Sequence, residues 1–361
     1  MEYKKWLTDY APPSMGFFHK TALFFLIEPT PNLKQYYNYP QVSYTEDHLP
    51  ANLVIIIGES LSRTHCSLNG YSKPTNSRLE ELVEQKVLYV FDSISAPAIQ
   101  TVPAFKFFMT ESNRENAKDK EWFKCLTIPE VFHTLGYKMQ WISNQKRSGF
   151  YDNVCTRFAE LCDTMYFVND NNNAYTSYYD ESLLPLLKKS IPNFSGRNLY
   201  FLHLMGSHPL YKERYPSTFS KFSSDDYMDL PEHQRNTIAE YDTSVAYNDS
   251  VISEIIDIFS QKESVVVYFS DHGQDLYQSD SHYCGHANRT IKSQKFGKEI
   301  PFIVYLSPKF QEKNPMISGY LNNNRQSSFC TENLIYFLMD LVGANFKDNE
   351  RVQENTLLKI K

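Results

Sequence analysis

The chain has 361 residues, of which 42% are hydrophobic and 22% are charged, so it is long enough to bury a large core. Its 36 basic and 42 acidic residues give a formal net charge of −6, without a dense block of lysine and arginine. This balance argues against nucleic acid as a partner. No apolar stretch reaches the roughly 18 residues that a membrane-spanning helix needs.

The first part of the chain differs in composition from the rest. Residues 1–48 are rich in tyrosine and proline and show little periodicity, which predicts a membrane-proximal arm ahead of a catalytic domain over residues 49–361. Trp6 and several phenylalanines in the arm suit the neighbourhood of a bilayer. We therefore expect a transmembrane region to precede this sequence in the natural protein.

From about residue 49 the sequence alternates between predicted strands and predicted helices. Six buried strands are predicted, at Leu53–Ile57, Val87–Phe91, Lys138–Ile142, Leu199–Leu204, Ser264–Ser270 and Pro301–Leu306. Six helices are predicted, at Asn76–Glu84, Pro103–Met109, Ile128–Leu135, Glu181–Leu187, Thr237–Phe259 and Thr331–Leu341. Strands separated by helices indicate an α/β sandwich whose central, mostly parallel sheet is flanked by helices.

Polar residues that could bind a metal follow two of the predicted strands. Glu59 comes after the first strand, and Asp271 and His272 come after the fifth. Open α/β sheets place their functional sites just beyond the carboxyl ends of strands, so these side chains should meet. Taken alone, Glu59 could be a charge at a helix N-terminus, and Asp271-His272-Gly273 could be a turn. Together they form a ligand set suited to zinc.

The predicted nucleophile is a hydroxyl, because none of the six cysteines lies in the Cys-x-Pro-x-Arg frame that a sulfatase needs. Thr101 lies just ahead of the predicted helix Pro103–Met109. A helix N-terminus offers free N–H groups to phosphoryl oxygens. The alternative is that Thr101 merely caps the helix, and the two roles are compatible.

The remaining histidines differ in their predicted roles. His208 follows the fourth strand and His286 follows the Asp271-His272 pair by a loop, so both could bind a second metal or the transferring phosphate. His203 lies inside an apolar run and is predicted to pack in the core. His282 is expected in a polar loop, and His65 could be exposed or line a pocket.

Two cysteines could form a disulfide. Cys155 and Cys162 are seven residues apart in a polar, loop-like stretch. They could close a small disulfide if the domain lies outside the cytoplasm, or they could remain buried thiols.

Several motifs resemble those of bacterial phosphoethanolamine transferases, membrane-anchored enzymes of the sulfatase and alkaline phosphatase superfamily. The similarity runs from about Asn52 to about Gly343. The motifs are Gly58-Glu59-Ser60, Leu68-Asn69-Gly70-Tyr71-Ser72-Lys73-Pro74-Thr75, Trp141-Ile142-Ser143-Asn144-Gln145, Tyr241-Asp242 with Tyr247-Asn248-Asp249, Ser270-Asp271-His272-Gly273 and Gly285-His286.

The resemblance implies roles for the residues that match. Glu59, Asp271 and His272 would be zinc ligands, and Thr101 would be both a ligand and the acceptor of phosphoethanolamine. His208 and His286 would serve the headgroup or a second zinc, and a Cys155–Cys162 disulfide would fit an oxidising compartment. Gln274 departs from the family, where many relatives have glutamate, and this change would alter the tuning of the metal ligands.

The resemblance also implies a reaction, a set of partners and a location. Thr101 would take phosphoethanolamine from phosphatidylethanolamine, expel diacylglycerol and pass the group to lipopolysaccharide, at lipid A or core oligosaccharide, or to another envelope acceptor. The enzyme would be anchored in the inner membrane with its catalytic domain in the periplasm. Three alternatives stay open: a phosphodiesterase or phosphatase, a glycerol-phosphate transferase, and a metal-free binding domain of the same fold.

Overall fold

The computed structural model describes residues 30–147, 153–169, 178–191, 196–288, 290–347 and 356–358. The arm predicted over residues 1–48 is therefore described only from residue 30, and Trp6 lies outside the described residues. Within the described ranges, no helix has both the length and the apolar character needed to cross a bilayer.

The described residues form one large sheet, three two-stranded sheets and the helices that accompany them. The strands are β1 (Val42–Tyr44), β2 (Asn52–Gly58), β3 (Leu88–Phe91), β4 (Ile94–Ser95), β5 (Tyr137–Ser143), β6 (Thr164–Phe167), β7 (Arg197–His203), β8 (Ser264–Ser270), β9 (Asp275–Leu276), β10 (Cys284–Gly285), β11 (Phe302–Leu306), β12 (Phe329–Cys330) and β13 (Ala344–Phe346). The α-helices are α1 (Ser77–Glu84), α2 (Thr101–Phe108), α3 (Ile128–Thr134), α4 (Asn153–Ala159), α5 (Leu183–Ser190), α6 (Glu232–Phe259), α7 (Ile291–Lys298), α8 (Pro308–Lys313), α9 (Pro315–Asn323) and α10 (Leu334–Leu341).

The central sheet has seven strands in the order β3-β11-β8-β2-β7-β5-β6. The five strands from β8 to β6 are parallel, whereas β11 runs antiparallel to both of its neighbours. All six predicted strands belong to this sheet, and β6 is an addition that was not predicted. The predicted α/β sandwich with a mostly parallel sheet is confirmed.

The sheet is buried on both faces, as the continuous apolar run of β2 indicates. Every residue of β2 is buried. Ile55 and Ile57 belong to one apolar cluster, with α2 and α10, and Val54 and Ile56 belong to a second cluster, with α6. Because successive side chains of a strand point to opposite faces, one apolar run supplies both layers of the core.

The predicted helices are present, and two of them begin earlier than predicted. The helix predicted from Pro103 begins at Thr101, and the helix predicted from Thr237 begins at Glu232. The first of these shifts matters for function, because it places the Thr101 side chain inside the first helical turn.

The sequence left two alternatives for Cys155 and Cys162, a disulfide or two thiols, and the structure has two thiols. Cys155 lies within α4, a helix that was not predicted, and Cys162 follows the end of that helix. A helix rises about 1.5 Å per residue, so the helical residues between Cys155 and Cys162 move their Cα atoms apart along the helix axis. Disulfides need Cα atoms within about 7 Å of each other, which a tight loop would allow and a helix opposes.

The end of the region predicted as an arm is paired with the C-terminal part of the fold. β1 pairs antiparallel with β13, with Val42 opposite Phe346 and Tyr44 opposite Ala344. The division of the chain at residues 48 and 49 stays a prediction.

Candidate metal centre

Two adjacent parallel strands bring Glu59, Asp271 and His272 together. Gly58, the last residue of β2, pairs with Ser270, the last residue of β8, so the residues that follow emerge side by side. One ligand atom from each of the three side chains lies within 4.8 Å of the others, and all three residues are buried. Among the described residues this is the only such group of histidine, cysteine and carboxylate side chains.

The hydrogen bonds around this group leave an open position for a cation. Asp271 Oδ1 accepts from the His272 N–H at 2.7 Å and the Ser60 N–H at 3.1 Å, while Asp271 Oδ2 is buried without a hydrogen-bond partner. His272 Nδ1 lies 2.9 Å from the Gly273 carbonyl oxygen, which turns Nε2 toward the carboxylates. Nε2 is 3.2 Å from Glu59 Oε1. A buried carboxylate oxygen without a partner beside an oriented imidazole fits a divalent metal.

Thr101 lies at the same point, in the first turn of α2. Gln100 is the N-cap of this helix, so the Thr101 hydroxyl is not needed for capping. Thr101 Oγ1 donates to Glu59 Oε2 at 2.9 Å and is 3.4 Å from His272 Nε2. The hydroxyl therefore lies against both a carboxylate and an imidazole of the candidate metal group.

Gln145 also contacts Glu59, a role that sequence reasoning missed. Its Nε2 donates to Glu59 Oε2 at 3.3 Å and to the Leu204 carbonyl oxygen at 3.0 Å. Gln145 follows the end of β5, so the rule that polar residues at strand ends converge could have identified it. Its amide orients the same carboxylate oxygen that accepts the hydrogen bond of the Thr101 hydroxyl.

The loop after Glu59 is held in an unusual conformation. Ser60 has a φ of 57°, in the left-handed region that few residues other than glycine adopt. Its hydroxyl donates to Glu59 Oε1 at 2.6 Å. The Tyr241 hydroxyl accepts from the Ser62 N–H at 2.7 Å and donates to the Ser60 carbonyl oxygen at 2.9 Å. Side-chain contacts on both sides thus fix the direction of the Glu59 carboxylate.

A second loop packs against the backbone of Glu59. Gly206 has a φ of 57°, and a Cβ placed on it would lie 2.6 Å from the Glu59 carbonyl oxygen. The Ser207 N–H donates to that same oxygen at 2.9 Å. The buried Asp180 carboxylate accepts the N–H groups of Met205 and Gly206, which holds the loop in place.

The three buried ionisable groups shift one another's proton affinities. Burial alone raises the pKa of Glu59, but the charge and hydrogen bond of His272 outweigh it and hold the pKa well below its usual range. Burial and the Glu59 charge raise the pKa of Asp271. Burial lowers the pKa of His272, but Asp271 and Glu59 outweigh it and raise the pKa to about 9. The positive charge of His272 therefore stabilises the negative charges of Glu59 and Asp271. A bound cation would stabilise the same negative charges.

The two additional candidate histidines lie near this group but outside it. The His286 ring is 4.6 Å from the His272 ring, and His286 Nδ1 is 3.3 Å from Gln274 Oε1. Burial, followed by the charge of His272, lowers the pKa of His286 to about 4. His208 is exposed after β7, and its charge is among the influences that lower the pKa of Glu59.

Three further histidines of the described residues do not belong to the candidate metal group. His203 is buried among aromatic residues, with its ring 5.1 Å from that of Phe105, as its apolar surroundings in the sequence predict. His282 lies in an exposed loop. His65, whose environment the sequence left open, is buried with its Nδ1 2.6 Å from Asp242 Oδ1.

Known proteins share this sequence pattern over most of the chain. The sulfatase family model matches residues 51–344. Phosphoethanolamine transferase EptC of Escherichia coli K12 is 28% identical over 306 residues, which are 82% of this chain and 52% of that protein. Phosphoethanolamine transferase EptA of Helicobacter pylori is 28% identical over 304 residues, which are 80% of this chain and 54% of that protein. The chain spans about half the length of the curated relatives it matches.

A solved structure extends the similarity to three dimensions. The C-terminal periplasmic domain of EptC from Escherichia coli, in complex with Zn, matches with a TM-score of 0.78 and 26% identity, over 90% of this chain and 91% of that one. The corresponding domain from Campylobacter jejuni matches with a TM-score of 0.66 and 24% identity, over 83% of this chain and 91% of that one. The predicted resemblance and the predicted fold are both confirmed.

Proposed function

The chain belongs to the sulfatase family, and on that premise we propose that it transfers phosphoethanolamine from phosphatidylethanolamine to a cell-envelope acceptor, either lipid A or core oligosaccharide. The proposal draws on relatives that are named phosphoethanolamine transferases and are similar over most of this chain. The family name does not imply sulfatase activity here, because the cysteine frame of sulfatases is missing.

The observation that carries the proposal is the position of the Thr101 hydroxyl. It donates to Glu59 at 2.9 Å and lies 3.4 Å from His272, at the N-terminus of α2. The first N–H groups of a helix have no carbonyl partner within the helix, and with the helix dipole they favour phosphoryl oxygens. A hydroxyl, a candidate metal group and an anion-binding helix end therefore coincide.

Glu59, Asp271 and His272, with Thr101 as a fourth ligand, are the residues that would hold zinc. Zinc bound there would lower the pKa of a coordinated hydroxyl and stabilise negative charge on phosphoryl oxygens. The arrangement fits one metal. His208 and His286 lie outside the three-residue group, which suits them to the headgroup phosphate rather than to that site.

In the first half-reaction Thr101 acts as the nucleophile. Its oxygen attacks the phosphorus of phosphatidylethanolamine, so that a P–O bond to Thr101 forms and the P–O bond to diacylglycerol breaks. The hydroxyl proton ends on the released diacylglycerol oxygen, and His208 or His286 carries it there. Glu59 and Gln145 orient the attacking hydroxyl through the contacts described above.

In the second half-reaction the acceptor oxygen attacks the same phosphorus. A P–O bond to the acceptor forms, the bond to Thr101 breaks, and the acceptor proton returns to the Thr101 oxygen. His286 is suited to carry this proton, because its ring lies beside that of His272. The N-terminus of α2 stabilises the phosphoryl oxygens in both steps.

The proposal includes a location. The matched domain of Escherichia coli EptC is periplasmic, and we place this domain in the periplasm as well. Its donor is a membrane lipid, so the whole protein would work at the surface of the inner membrane.

The test is a measurement of diacylglycerol release during the first turnover. Protein loaded with zinc is mixed with phosphatidylethanolamine in detergent micelles, without an acceptor. We expect a rapid burst of about one diacylglycerol per protein molecule, followed by little further release, because the intermediate accumulates. The burst should vanish in a Thr101→Ala variant.

A Thr134→Ala variant serves as the matched control, because Thr134 ends α3 and is remote in sequence from the metal group. It should give the same burst as the unmodified protein. Continuous release without a burst would contradict the transferase proposal and support a phosphodiesterase. A full burst from the Thr101→Ala variant would show that Thr101 is not the nucleophile.

A further inference from the structure

The structure contains a cavity that is separate from the candidate metal centre. Its volume is about 450 Å³, within the roughly 300–1,000 Å³ typical of small-ligand pockets. None of the candidate zinc ligands lines it. The residues that line it include Arg63, Asp92, Ser95, Glu299, Ser328 and Phe329.

The polar groups of this cavity are of mixed type. Arg63 and Glu299 form an ion pair at 3.3 Å, with side chains that are 25% and 20% exposed. Asp92 adds a second carboxylate, and three serines contribute hydroxyls. Ile94 and Phe329 are buried and supply an apolar floor.

This chemistry selects among ligand classes. Arg63 and Lys295 both pair with Glu299. With the carboxylate of Asp92 these charges balance, so a phosphate or another anion would gain little net attraction. A lipid chain would leave the polar lining without partners. A saccharide offers hydroxyls that both donate and accept, together with an apolar ring face. Those groups match the carboxylates, the serine hydroxyls and the apolar surface of Phe329.

Two residues that line the cavity are close in sequence to residues of the candidate metal centre. Arg63 follows Glu59 by four residues, which limits their Cα separation to about 14 Å. Ser95 precedes Thr101 by six residues, within about 22 Å even if that segment were fully extended. The segment between them is anchored, because the Ala96 N–H donates to the Lys298 carbonyl oxygen at 2.8 Å. A ligand several sugar units long could reach both places.

We propose that this cavity binds a saccharide unit of the acceptor, which rests on the proposed transferase function. One unit sits between Arg63, Asp92 and Glu299, and a neighbouring oxygen of the same oligosaccharide is directed at the phosphorus on Thr101. That oxygen forms the new P–O bond, the bond to Thr101 breaks, and the acceptor proton moves to the Thr101 oxygen. The cavity positions the acceptor and takes no part in the bond changes.

The first test measures equilibrium binding, which does not depend on turnover. The probe is core oligosaccharide released from lipopolysaccharide by mild acid, titrated into the zinc-loaded protein in a calorimeter. A Ser328→Tyr substitution places a ring at the exposed rim, and Asp92→Asn removes a carboxylate charge while keeping its shape. Each should weaken binding at least about tenfold, and exposed Ser43→Tyr on β1 should leave it unchanged. Equal affinity in all four proteins, or no binding to the unmodified protein, would overturn the proposal.

The second test separates this site from the proposed function. The diacylglycerol burst reports the donor half-reaction, and transfer of the group to the oligosaccharide reports the acceptor half-reaction. The proposal expects Ser328→Tyr to slow transfer at least about tenfold while the burst amplitude stays near that of Ser43→Tyr. Loss of the burst together with transfer would assign the cavity to the donor headgroup and contradict the proposal. A burst absent from the unmodified protein would refute the proposed function. The binding titration would still determine whether the cavity binds the oligosaccharide.

Discussion

Replacement of Gly206 by alanine tests how tightly the metal centre is assembled. Gly206 has a φ of 57°, and an added Cβ would lie 2.6 Å from the Glu59 carbonyl oxygen and 2.8 Å from the Glu59 nitrogen. Both contacts are with backbone atoms that no rotamer change can relieve. The Glu59 backbone must move, and its carboxylate must move with it.

The cost of this substitution has two parts. A left-handed conformation costs a residue with a Cβ about 1–2 kcal/mol, and forcing extra volume into a packed site costs about 1–3 kcal/mol more. We therefore expect Gly206→Ala to lower the free energy of unfolding by about 2–5 kcal/mol, a large share of the roughly 5–15 kcal/mol of a typical domain. Zinc affinity should fall as well, because Glu59 is displaced relative to Asp271.

Gly319→Ala is the matched control. Gly319 lies exposed in α9, and a Cβ placed on it meets no atom within 4 Å. In a helix this change should stabilise by about 0.5–1 kcal/mol. Urea unfolding in the presence of a chelator gives the two free energies, and titration with zinc gives the affinities. If Gly206→Ala unfolds at the same urea concentration as the unmodified protein and binds zinc equally well, the reasoning about this contact is refuted.

Three further outcomes follow from the buried carboxylates and from His272. Asp271→Asn should weaken zinc binding by more than the 10- to 100-fold typical of outer-shell changes, as measured by competition with a chelator; unchanged affinity would remove Asp271 from the ligand set. Zinc affinity of the unmodified protein should rise with pH up to about 9, because zinc must displace the proton of His272, whose pKa is about 9. Calorimetry in buffers of different ionisation enthalpy should detect proton release at pH 7, and its absence would contradict this. Burial raises the pKa of Asp249 to about 6. A proton therefore binds the folded state more tightly than the unfolded one, and this group adds stability as pH falls from 7 to 4, by at most about 3 kcal/mol. Asp249→Asn should lack that gain in urea unfolding, and an identical pH profile would refute it.

Much of the site could be predicted because strand ends are visible in the sequence. The run Leu53–Ile57 has enough β-branched residues to identify a buried strand, and Glu59 follows it at once. The same holds for Ser264–Ser270 and the Asp271-His272 pair. Parallel neighbours end at the same edge of the sheet, so the order of these strands did not need to be known for their ends to be expected together.

Other features depended on information that a local pattern does not contain. The apolar run of β11 reads the same in either direction, so its antiparallel pairing with β8 was not predicted. A disulfide between Cys155 and Cys162 stayed open in the sequence because the polar stretch around them was taken for a loop, whereas Cys155 lies in α4. Polar residues on a short surface helix obscure its apolar face.

Tertiary packing determines the roles of residues such as Gln145 and Gly206. An amide after a strand is common and has no distinctive spacing, and its contact with Glu59 appears only when β5 and β2 are placed in one sheet with β7 between them. The need for glycine at position 206 arises from the approach of the Glu59 backbone, which is 147 residues away along the chain. Long-range contacts of this kind cannot be predicted from local propensity.

Fragmentation of the trapped intermediate identifies the residue that receives phosphoethanolamine. The zinc-loaded protein is incubated with phosphatidylethanolamine without acceptor, quenched in acid, digested and analysed by tandem mass spectrometry. We expect phosphoethanolamine on the peptide that contains Thr101, with the fragment ions placing it on the Thr101 side chain. Phosphoethanolamine on another residue, or its absence from every peptide while diacylglycerol is released, would contradict the claim that Thr101 receives the group.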